Sequence, residues 1–347
     1  MLSVGTPLCI GSRKRGIGNI KSVVLLTAAI ALLSPSYAAP KAVPAFKKWC
    51  FVVAGDGRSD NPGKRTEDKD GVNALITGEM AQAVLDEKAK FLMWTGDLVH
   101  GYEKDPAAFE KQLLAWRGIM APLYDKHIPV LACRGNHDAS STEAERVWDS
   151  VFTGSYAMPQ NGPATEKNLS FYVEEQNVLA IGLDQYKTGV EQVNQPWLDD
   201  VLTKHKKPFI FAMGHEPAFM DGRHADTMDS VPNARDIFWK SLINAGARVF
   251  FCGHDHLYDH MTVTQTGTNP GPVMHQFVAG TSGAPFYNAG PYSGNNTIWS
   301  LKREKSITKT YGYMLVEIDG KKATITFKGR VSPGHYEPMD TFSYSVP

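Results

Sequence analysis

The pattern of apolar and polar positions predicts a chain that alternates strands with helices from residue 50 onward. Short apolar runs bounded by turn residues are typical of buried strands. Six such runs occur: Cys50 to Ala54, Phe91 to Trp94, Val130 to Cys133, Val178 to Leu183, Phe209 to Met213 and Val249 to Cys252. The segments between them have helical character, so the order of elements indicates a layered α/β fold.

Three of the intervening segments carry recognisable helix starts. A helix from Asn73 through Glu87 is predicted to be capped by the asparagine. A second, from Asp105 through Met120, has a proline directly after its first residue, where a missing N–H costs nothing. Pro196 similarly fits the first turn of a third helix.

The last part of the chain changes to a strand-rich pattern. The candidate strands are Leu257 to Thr264, Met274 to Ala279, Tyr313 to Ile318 and Ala323 to Phe327. Asp319-Gly320 between the last two is a strong hairpin turn signal. We therefore predict a single domain over residues 39–347, with two packed mixed β-sheets flanked by helices.

The first residues predict an export signal. The basic stretch Arg13 to Arg15 precedes an apolar run from Val23 to Leu33, and Ser36-Tyr37-Ala38 offers the small residues that a signal peptidase requires. We expect cleavage after Ala38, which makes residues 1–38 a signal peptide and the mature protein periplasmic or secreted. The alternative is a membrane anchor, but the run is much shorter than the roughly 20 residues needed to span a bilayer.

The balance of charged residues limits the kinds of binding partner that we expect. Lys plus Arg and Asp plus Glu both number 36, so no overall field favours a nucleic-acid polymer or an anionic membrane. The mature chain keeps Cys50, Cys133 and Cys252, which lie in or beside apolar runs. Buried free thiols are expected, and one disulfide stays an alternative.

Five of the six apolar runs end directly at side chains that bind metals. After the first run comes Asp56, and the others lead into Gly96-Asp97, Gly135-Asn136-His137-Asp138, Gly214-His215-Glu216 and Gly253-His254-Asp255-His256. Ligands of open α/β sheets collect beyond the carboxyl ends of the strands, where these turns fall. The set indicates a two-metal hydrolase site, since such a site needs a shared carboxylate and imidazoles around it.

The predicted ligands divide between two ions. Asp97 is expected to bridge both ions. One ion takes Asn136, His215 and His254 in addition, and the other takes Asp56, His256 and one further ligand. His254 and His256 lie two residues apart, so an extended segment would direct both imidazoles to one side. Asn136 is also expected to contact the substrate.

His137 is assigned a catalytic role because it cannot point the same way as its neighbour Asn136. Asp138 is expected to hold the His137 tautomer.

These turns, in this order, resemble those of the calcineurin-like metallophosphoesterase superfamily, which includes the purple acid phosphatases. The resemblance extends over Cys50 to Phe327. It implies a four-layer sandwich and a dinuclear centre of iron, zinc or manganese. It also implies hydrolysis of a small phosphate ester by a metal-bridging hydroxide, with His137 as proton donor or as a stabiliser of phosphoryl charge. Monoesters and diesters are equally compatible with the motifs.

One position departs from the resemblance. The family's first motif is commonly Asp-x-His, whereas this chain has Asp56-Gly57-Arg58. Purple acid phosphatases lack that histidine and use a tyrosine three residues after the bridging aspartate, where this chain has His100. We therefore expect His100 to be the further ligand, the alternative being an exposed loop residue. Arg58 is then free to hold two phosphate oxygens, or alternatively to form a surface salt bridge.

A substrate pocket and two other functions complete the expectations. His224 with Arg223, and Tyr258, occupy positions where a cap over the site is expected, although each is also compatible with an ordinary surface residue. One alternative function is an exported metal-binding protein without turnover, which the intact His137–Asp138 pair disfavours. The other is a two-metal hydrolase of amides or lactones, which only the family resemblance disfavours.

Overall fold

Two mixed β-sheets form the centre of the protein. The computed structural model describes residues 47–60, 68–102, 104–220, 222–267, 271–290 and 298–347, so the predicted signal segment 1–38 lies outside the described residues. In chain order the strands are β1 (Trp49–Ala54), β2 (Asp68–Lys69), β3 (Val72–Asn73), β4 (Leu92–Trp94), β5 (Val130–Ala132), β6 (Phe171–Glu175), β7 (Val178–Gly182), β8 (Phe209–Met213), β9 (Val249–Cys252), β10 (Tyr258–Gln265), β11 (Met274–Ala279), β12 (Trp299–Ile307), β13 (Gly312–Asp319), β14 (Lys322–Ser332) and β15 (His335–Ser345).

Six α-helices accompany these strands in the described ranges. They are α1 (Ala74–Asp86), α2 (Pro106–Ile119), α3 (Ala121–Tyr124), α4 (Ala144–Val151), α5 (Gln195–Lys204) and α6 (Pro232–Ala245). Short 3-10 helices cover Gly154–Tyr156 and Met228–Ser230. None of the helices in this described part is long and apolar enough to cross a membrane.

The two sheets share one plan. The first has the order β15-β14-β13-β1-β4-β5, in which β1, β4 and β5 are parallel and β13 to β15 are antiparallel. The second has the order β12-β10-β11-β9-β8-β7-β6, with β7, β8, β9 and β11 parallel. In each sheet the parallel strands lie next to one another, so their carboxyl ends meet at a common edge.

Packing arranges the elements in four layers. Strand β8 is buried on both faces: Phe209, Phe211 and Met213 belong to one hydrophobic cluster, and its intervening residues belong to another. The first cluster includes Phe51 of β1, whose ring centroid lies 5.3 Å from that of Phe211, so the sheets pack face to face. Helix α1 packs in this first cluster and α5 and α6 in the second. The predicted fold of two mixed sheets flanked by helices is confirmed.

The helix caps and the hairpin turn that the sequence predicts are present in the structure. Asn73 caps α1 by accepting a hydrogen bond from the backbone N–H of Ile76, and Asp105 caps α2 in the same manner. The hairpin predicted at Asp319-Gly320 joins β13 to β14. Cys133 and Cys252 are buried thiols, as expected, whereas Cys50 is only half-buried.

Candidate metal centre

The predicted ligand turns come together from both sheets. Asp56 follows β1, Asp97 follows β4 and Asn136 follows β5, all from the first sheet. The second sheet contributes His215 after β8 and, after β9, the turn with His254 and His256. Five of these six residues are buried, and Asn136 is partly exposed.

The backbone of these turns is unusual. Asp56, Asp97 and His254 have φ of 59°, 52° and 70°, in the left-handed region that non-glycine residues seldom adopt. Such conformations cluster at functional sites, where the surrounding structure enforces them. The extended segment expected for His254 to His256 is wrong, because the chain bends at these residues. A Cβ at Gly135 would lie 2.1 Å from Asp97 Oδ1, so only glycine allows the neighbouring turns to approach this closely.

Four ligand atoms converge as the sequence predicts for one ion. Asn136 Oδ1 lies 3.1 Å from His215 Nε2 and 3.3 Å from His254 Nδ1. Asp97 Oδ1 lies 3.4 Å from the same His215 nitrogen. Ligands bound at about 2.1 Å to a common ion lie roughly 3.0 to 3.4 Å from one another. These spacings therefore fit one divalent metal ion, and we call this set the Asn136 site.

Hydrogen bonds on the outer side of these ligands direct their lone pairs inward. His215 Nδ1 lies 2.8 Å from the backbone carbonyl of Thr95, which requires a proton on that nitrogen and leaves the Nε2 lone pair facing Asn136. Asn136 Nδ2 donates to the hydroxyl of Tyr102 at 2.8 Å, so its amide oxygen faces the imidazole. An oxygen and a nitrogen lone pair this close repel each other unless a cation lies between them.

Asp56 and Asp97, both predicted for the other ion, lie close enough to each other and to His215 to hold an ion. The Arg58 guanidinium, however, lies between Asp97 and the third predicted ligand, His256. Arg58 Nε is 3.4 Å from Asp97 Oδ2, and Nη2 is 3.4 Å from His256 Nε2. His256 Nε2 also lies 3.6 Å from Asp56 Oδ1. Only 7% of the Arg58 side chain is exposed, so Arg58 is not the surface residue of the alternative interpretation.

His100 is not brought together with the ligands. Its Nδ1 lies 3.1 Å from the backbone carbonyl of Ser59. Its own carbonyl instead accepts a hydrogen bond from His137 Nδ1. The His100 carbonyl therefore fixes the tautomer of His137, which was the function expected of Asp138. Asp138 accepts hydrogen bonds from the backbone N–H groups of Gly135 and Leu98, at 2.9 Å and 3.1 Å, and so braces two of the ligand turns.

Burial shifts the pKa values of the carboxylates and imidazoles in this cluster toward their neutral forms. Burial, together with the charge of Asp97, raises the pKa of Asp56 well above its usual value. Asp56 Oδ2 and Glu216 Oε2 are buried without a hydrogen-bond partner in the described structure. Burial lowers the pKa of His137 to about 4, although the charge of Asp97 opposes this shift. A bound metal ion would compensate the charge of the buried carboxylates and accept the lone pairs of the neutral imidazoles.

Aromatic and charged side chains surround the ligands. The His224 ring centroid lies 4.2 Å from that of His254, with its Nδ1 at 3.3 Å from Asp226 Oδ1. The Tyr287 ring stacks on the His256 ring with centroids 4.2 Å apart. The Arg223 guanidinium carbon lies over the Tyr287 ring, 4.9 Å from its centroid. His224 therefore lies beside the ligand His254 and Arg223 beside Tyr287, while a cap formed by His224 and Arg223 stays a prediction.

Tyr258 is different. It is 1% exposed, donates to Asp340 Oδ2 at 2.7 Å and packs against Phe327 with ring centroids 4.1 Å apart. Its predicted place in a cap is wrong, because the residue is the first of β10 and points between the sheets.

Several residues near the ligands were not assigned from the sequence. His254 Nε2 lies 3.3 Å from Glu216 Oε2 and 3.4 Å from Asp226 Oδ1, so two carboxylates lie beside its outer nitrogen. Glu216 follows His215 directly, and that adjacency was an available signal. Tyr102 and Tyr287 belong to irregular loops, where no periodicity indicates which way a side chain points.

Comparisons with known proteins agree with the fold. The protein is similar in structure to purple acid phosphatase PPD1 from yellow lupin (14% identity, 86% of this chain and 54% of that chain covered, TM-score 0.60). It is also similar to a dimetal phosphatase from Danio rerio (14% identity, 86% and 99% covered, TM-score 0.52). A third similar structure is GAP50, the anchor in the inner membrane complex of Plasmodium (15% identity, 86% and 89% covered, TM-score 0.56). At these identities the likeness concerns the fold.

At the level of sequence, no curated protein matches the chain. The profile of the calcineurin-like phosphoesterase family matches residues 70–258, which is more than half of the chain. The matched region begins after Asp56 and Arg58 and includes Asp97, Asn136 and His215. The chain therefore belongs to the calcineurin-like phosphoesterase family and is a metal-dependent phosphoester hydrolase.

Proposed function

We propose that this chain hydrolyses small phosphate esters at the Asn136 site. The observation that carries the proposal is the convergence of Asp97, Asn136, His215 and His254 at mutual distances that suit one metal ion. A divalent ion at such a site supplies Lewis acidity and an activated water for attack on phosphorus. The roles that we propose for the side chains around this site need only one ion.

The side chains next to the Asn136 site suit a phosphoryl group. Arg58 offers a permanently charged guanidinium beside Asp97, and this group is shaped to hold two phosphate oxygens. Since Arg58 is fixed by Asp97 and Tyr287, whose hydroxyl lies 3.3 Å from Nη2, little freedom is lost when phosphate binds. We propose Arg58 and Asn136 as contacts of the phosphoryl oxygens and His224 as a contact of the ester group.

His137 is proposed to handle the proton of the leaving group. Its Nδ1 is committed to the His100 carbonyl, and its Nε2 lies 3.8 Å from Asp97 Oδ2 on the side of the ligands. Burial keeps the ring neutral in the free protein, but a dianionic phosphate beside Nε2 favours its protonated form. Proton donation is thereby linked to occupation of the site by substrate.

A direct assay tests the proposal. Purified protein, stripped with a chelator and reloaded with Mn²⁺ or Zn²⁺, is assayed on p-nitrophenyl phosphate and bis(p-nitrophenyl) phosphate side by side. We expect metal-dependent cleavage of at least one ester, and the preferred ester assigns monoesterase or diesterase activity. His215→Ala should reduce the rate by more than about 100-fold. The matched control His335→Ala, at an exposed histidine of β15, should leave it unchanged.

Other outcomes would identify the alternatives. Metal binding without cleavage of either ester would favour a metal-binding protein without turnover. Cleavage of a nitroanilide or a lactone, but of neither phosphate ester, would favour the amide or lactone hydrolase.

We also propose that the protein is exported. Support comes from the basic and apolar pattern of residues 1–38, which lie outside the described residues. Mass spectrometry of the protein recovered from cells should give a first residue of Ala39. An intact first methionine on all of the recovered protein would contradict cleavage.

A further inference from the structure

The Arg58 guanidinium lies between two of the side chains that the sequence predicts as ligands of the second metal ion, Asp97 and His256. Its Nε faces Asp97 Oδ2, and its Nη2 faces His256 Nε2, each at 3.4 Å. The outer side of the guanidinium is fixed by the Tyr287 hydroxyl at 3.3 Å and by Asp60 Oδ1 at 3.6 Å from Nη1. Residue 58 also forms a β-bridge with Val72, which anchors the backbone from which the side chain extends.

His256 has one lone pair for this position, and Arg58 uses it. The Nδ1 atom of His256 lies 2.6 Å from the backbone carbonyl of Pro285, so that nitrogen carries the proton. The lone pair of Nε2 therefore points away from Pro285 and accepts from Arg58 Nη2. A metal ion needs the same lone pair, so the two cations exclude each other at His256.

Among the described residues, the further ligand expected for a second ion is turned away from this position. His100, the residue expected to provide it, faces the Ser59 carbonyl. Within the described parts of the chain, neither His100 nor His256 belongs to a group of three or more His, Cys, Asp or Glu side chains close enough to hold an ion. By contrast, His215 and His254 each belong to such groups.

We propose that Arg58 takes the place of one of the two metal ions, so that this phosphoesterase binds a single ion, in the Asn136 site. The proposal deepens the proposed function and rests on it for the role of the ion in catalysis. The guanidinium supplies a positive charge next to Asp97. Unlike a metal ion it cannot activate water, so the chemistry depends on one ion and the arginine orients the phosphoryl group.

The test counts bound metal. Protein stripped with a chelator is saturated with Mn²⁺ and desalted, and its metal content is measured by plasma mass spectrometry. We expect one equivalent in the wild type and two in Arg58→His, which supplies an imidazole where the family's first motif commonly has one. Arg58→Gln removes the charge without adding a ligand and should keep one equivalent. Electron paramagnetic resonance gives a second readout: an isolated Mn²⁺ signal in the wild type and a coupled pair in Arg58→His.

His100→Ala separates this proposal from the expectation that His100 is a metal ligand. If His100 is a ligand, the wild type binds two ions and His100→Ala binds one. If Arg58 replaces the ion, both proteins bind one.

Two outcomes overturn the proposal: two equivalents in the wild type, or one equivalent in an Arg58→His protein that circular dichroism shows to be folded. Because the metal count needs no substrate, it is independent of turnover. One bound ion without ester cleavage would refute the proposed function and leave this inference standing.

Discussion

The buried ion pair between Arg134 and Asp184 should make a large contribution to stability. Arg134 Nε lies 2.8 Å from Asp184 Oδ2, and their side chains are 4% and 0% exposed. The other carboxylate oxygen, Oδ1, accepts the backbone N–H groups of Tyr186 and Lys187 at 3.0 Å and 2.8 Å. Arg134 directly precedes the turn with Gly135 and Asn136, so the pair links the end of β5 to the end of β7.

Asp184→Asn keeps the shape of the side chain and removes its charge. The guanidinium is then left as an uncompensated charge in the interior, a change that typically costs about 3 to 5 kcal/mol. A domain has roughly 5 to 15 kcal/mol of total stability, so the loss is a large share of it. We expect urea unfolding to show a lower midpoint with an unchanged dependence on denaturant.

A double-mutant cycle separates the pair from the packing around it. Arg134→Met removes the guanidinium and retains much of the apolar volume, and the double variant removes both charges. We expect the double variant to be more stable than Asp184→Asn alone, because no unpaired charge is left. A loss below about 1 kcal/mol in Asp184→Asn, or purely additive losses in the cycle, would refute this reasoning.

Three further predictions concern the site and the pH response. His137→Ala should slow cleavage of an ester with a poor leaving group more than one with a good leaving group, and equal losses in kcat would argue against proton donation. Gly135→Ala places a methyl group 2.1 Å from Asp97 Oδ1 and should reduce retained metal after desalting, whereas Gly118→Ala in α2, where a methyl meets nothing within 4 Å, should not. Burial and the neighbouring His260 lower the pKa of His275 to about 3, below the value of about 6.5 in the unfolded chain. The unfolded state therefore binds the extra proton, and the stability that His275 contributes is present above pH 6.5 and lost as the pH falls, by about 2 kcal/mol at pH 5. In His275→Gln the midpoint of urea unfolding should therefore depend less on pH between pH 7 and pH 5 than in the wild type. The same dependence on pH in both proteins would contradict the lowered pKa of His275.

The strands that the sequence predicts are the ones buried on both faces. Runs such as Phe209 to Met213 are apolar throughout and end at glycine, so both their existence and their carboxyl ends are visible without a structure. The strands that were missed lie at sheet edges. β12 contains Lys302, Arg303, Glu304 and Lys305, and β15 contains Pro338 at a register shift, features that protect an edge but obscure the strand pattern.

The ligand turns were predictable for the same reason, because each follows a predicted strand. The neighbours of the ligands were not. His100 is near Asp97 along the chain, and Arg58 is near Asp97 in space. Only the folded conformation decides which of the two side chains faces the ligand cluster. A sequence shows that the usual histidine is missing at position 58, but it does not show that the arginine side chain turns inward.

Because of the position of β1 in the first sheet, the first ligand turn can form only after residues far along the chain are available. β1 lies between β4, which follows soon after it, and β13, which is synthesised near the end of the chain. The turn with Asp56 is held by late residues as well, since Gly55 and Asp56 accept backbone hydrogen bonds from Ser282 and Ala284. A nascent chain therefore cannot close the first ligand turn until its last third has emerged, and contacts this distant in sequence form slowly. The first ligand turn consequently depends on residues from Ser282 onward, and a protein truncated before β13 should lose that turn along with the sheet.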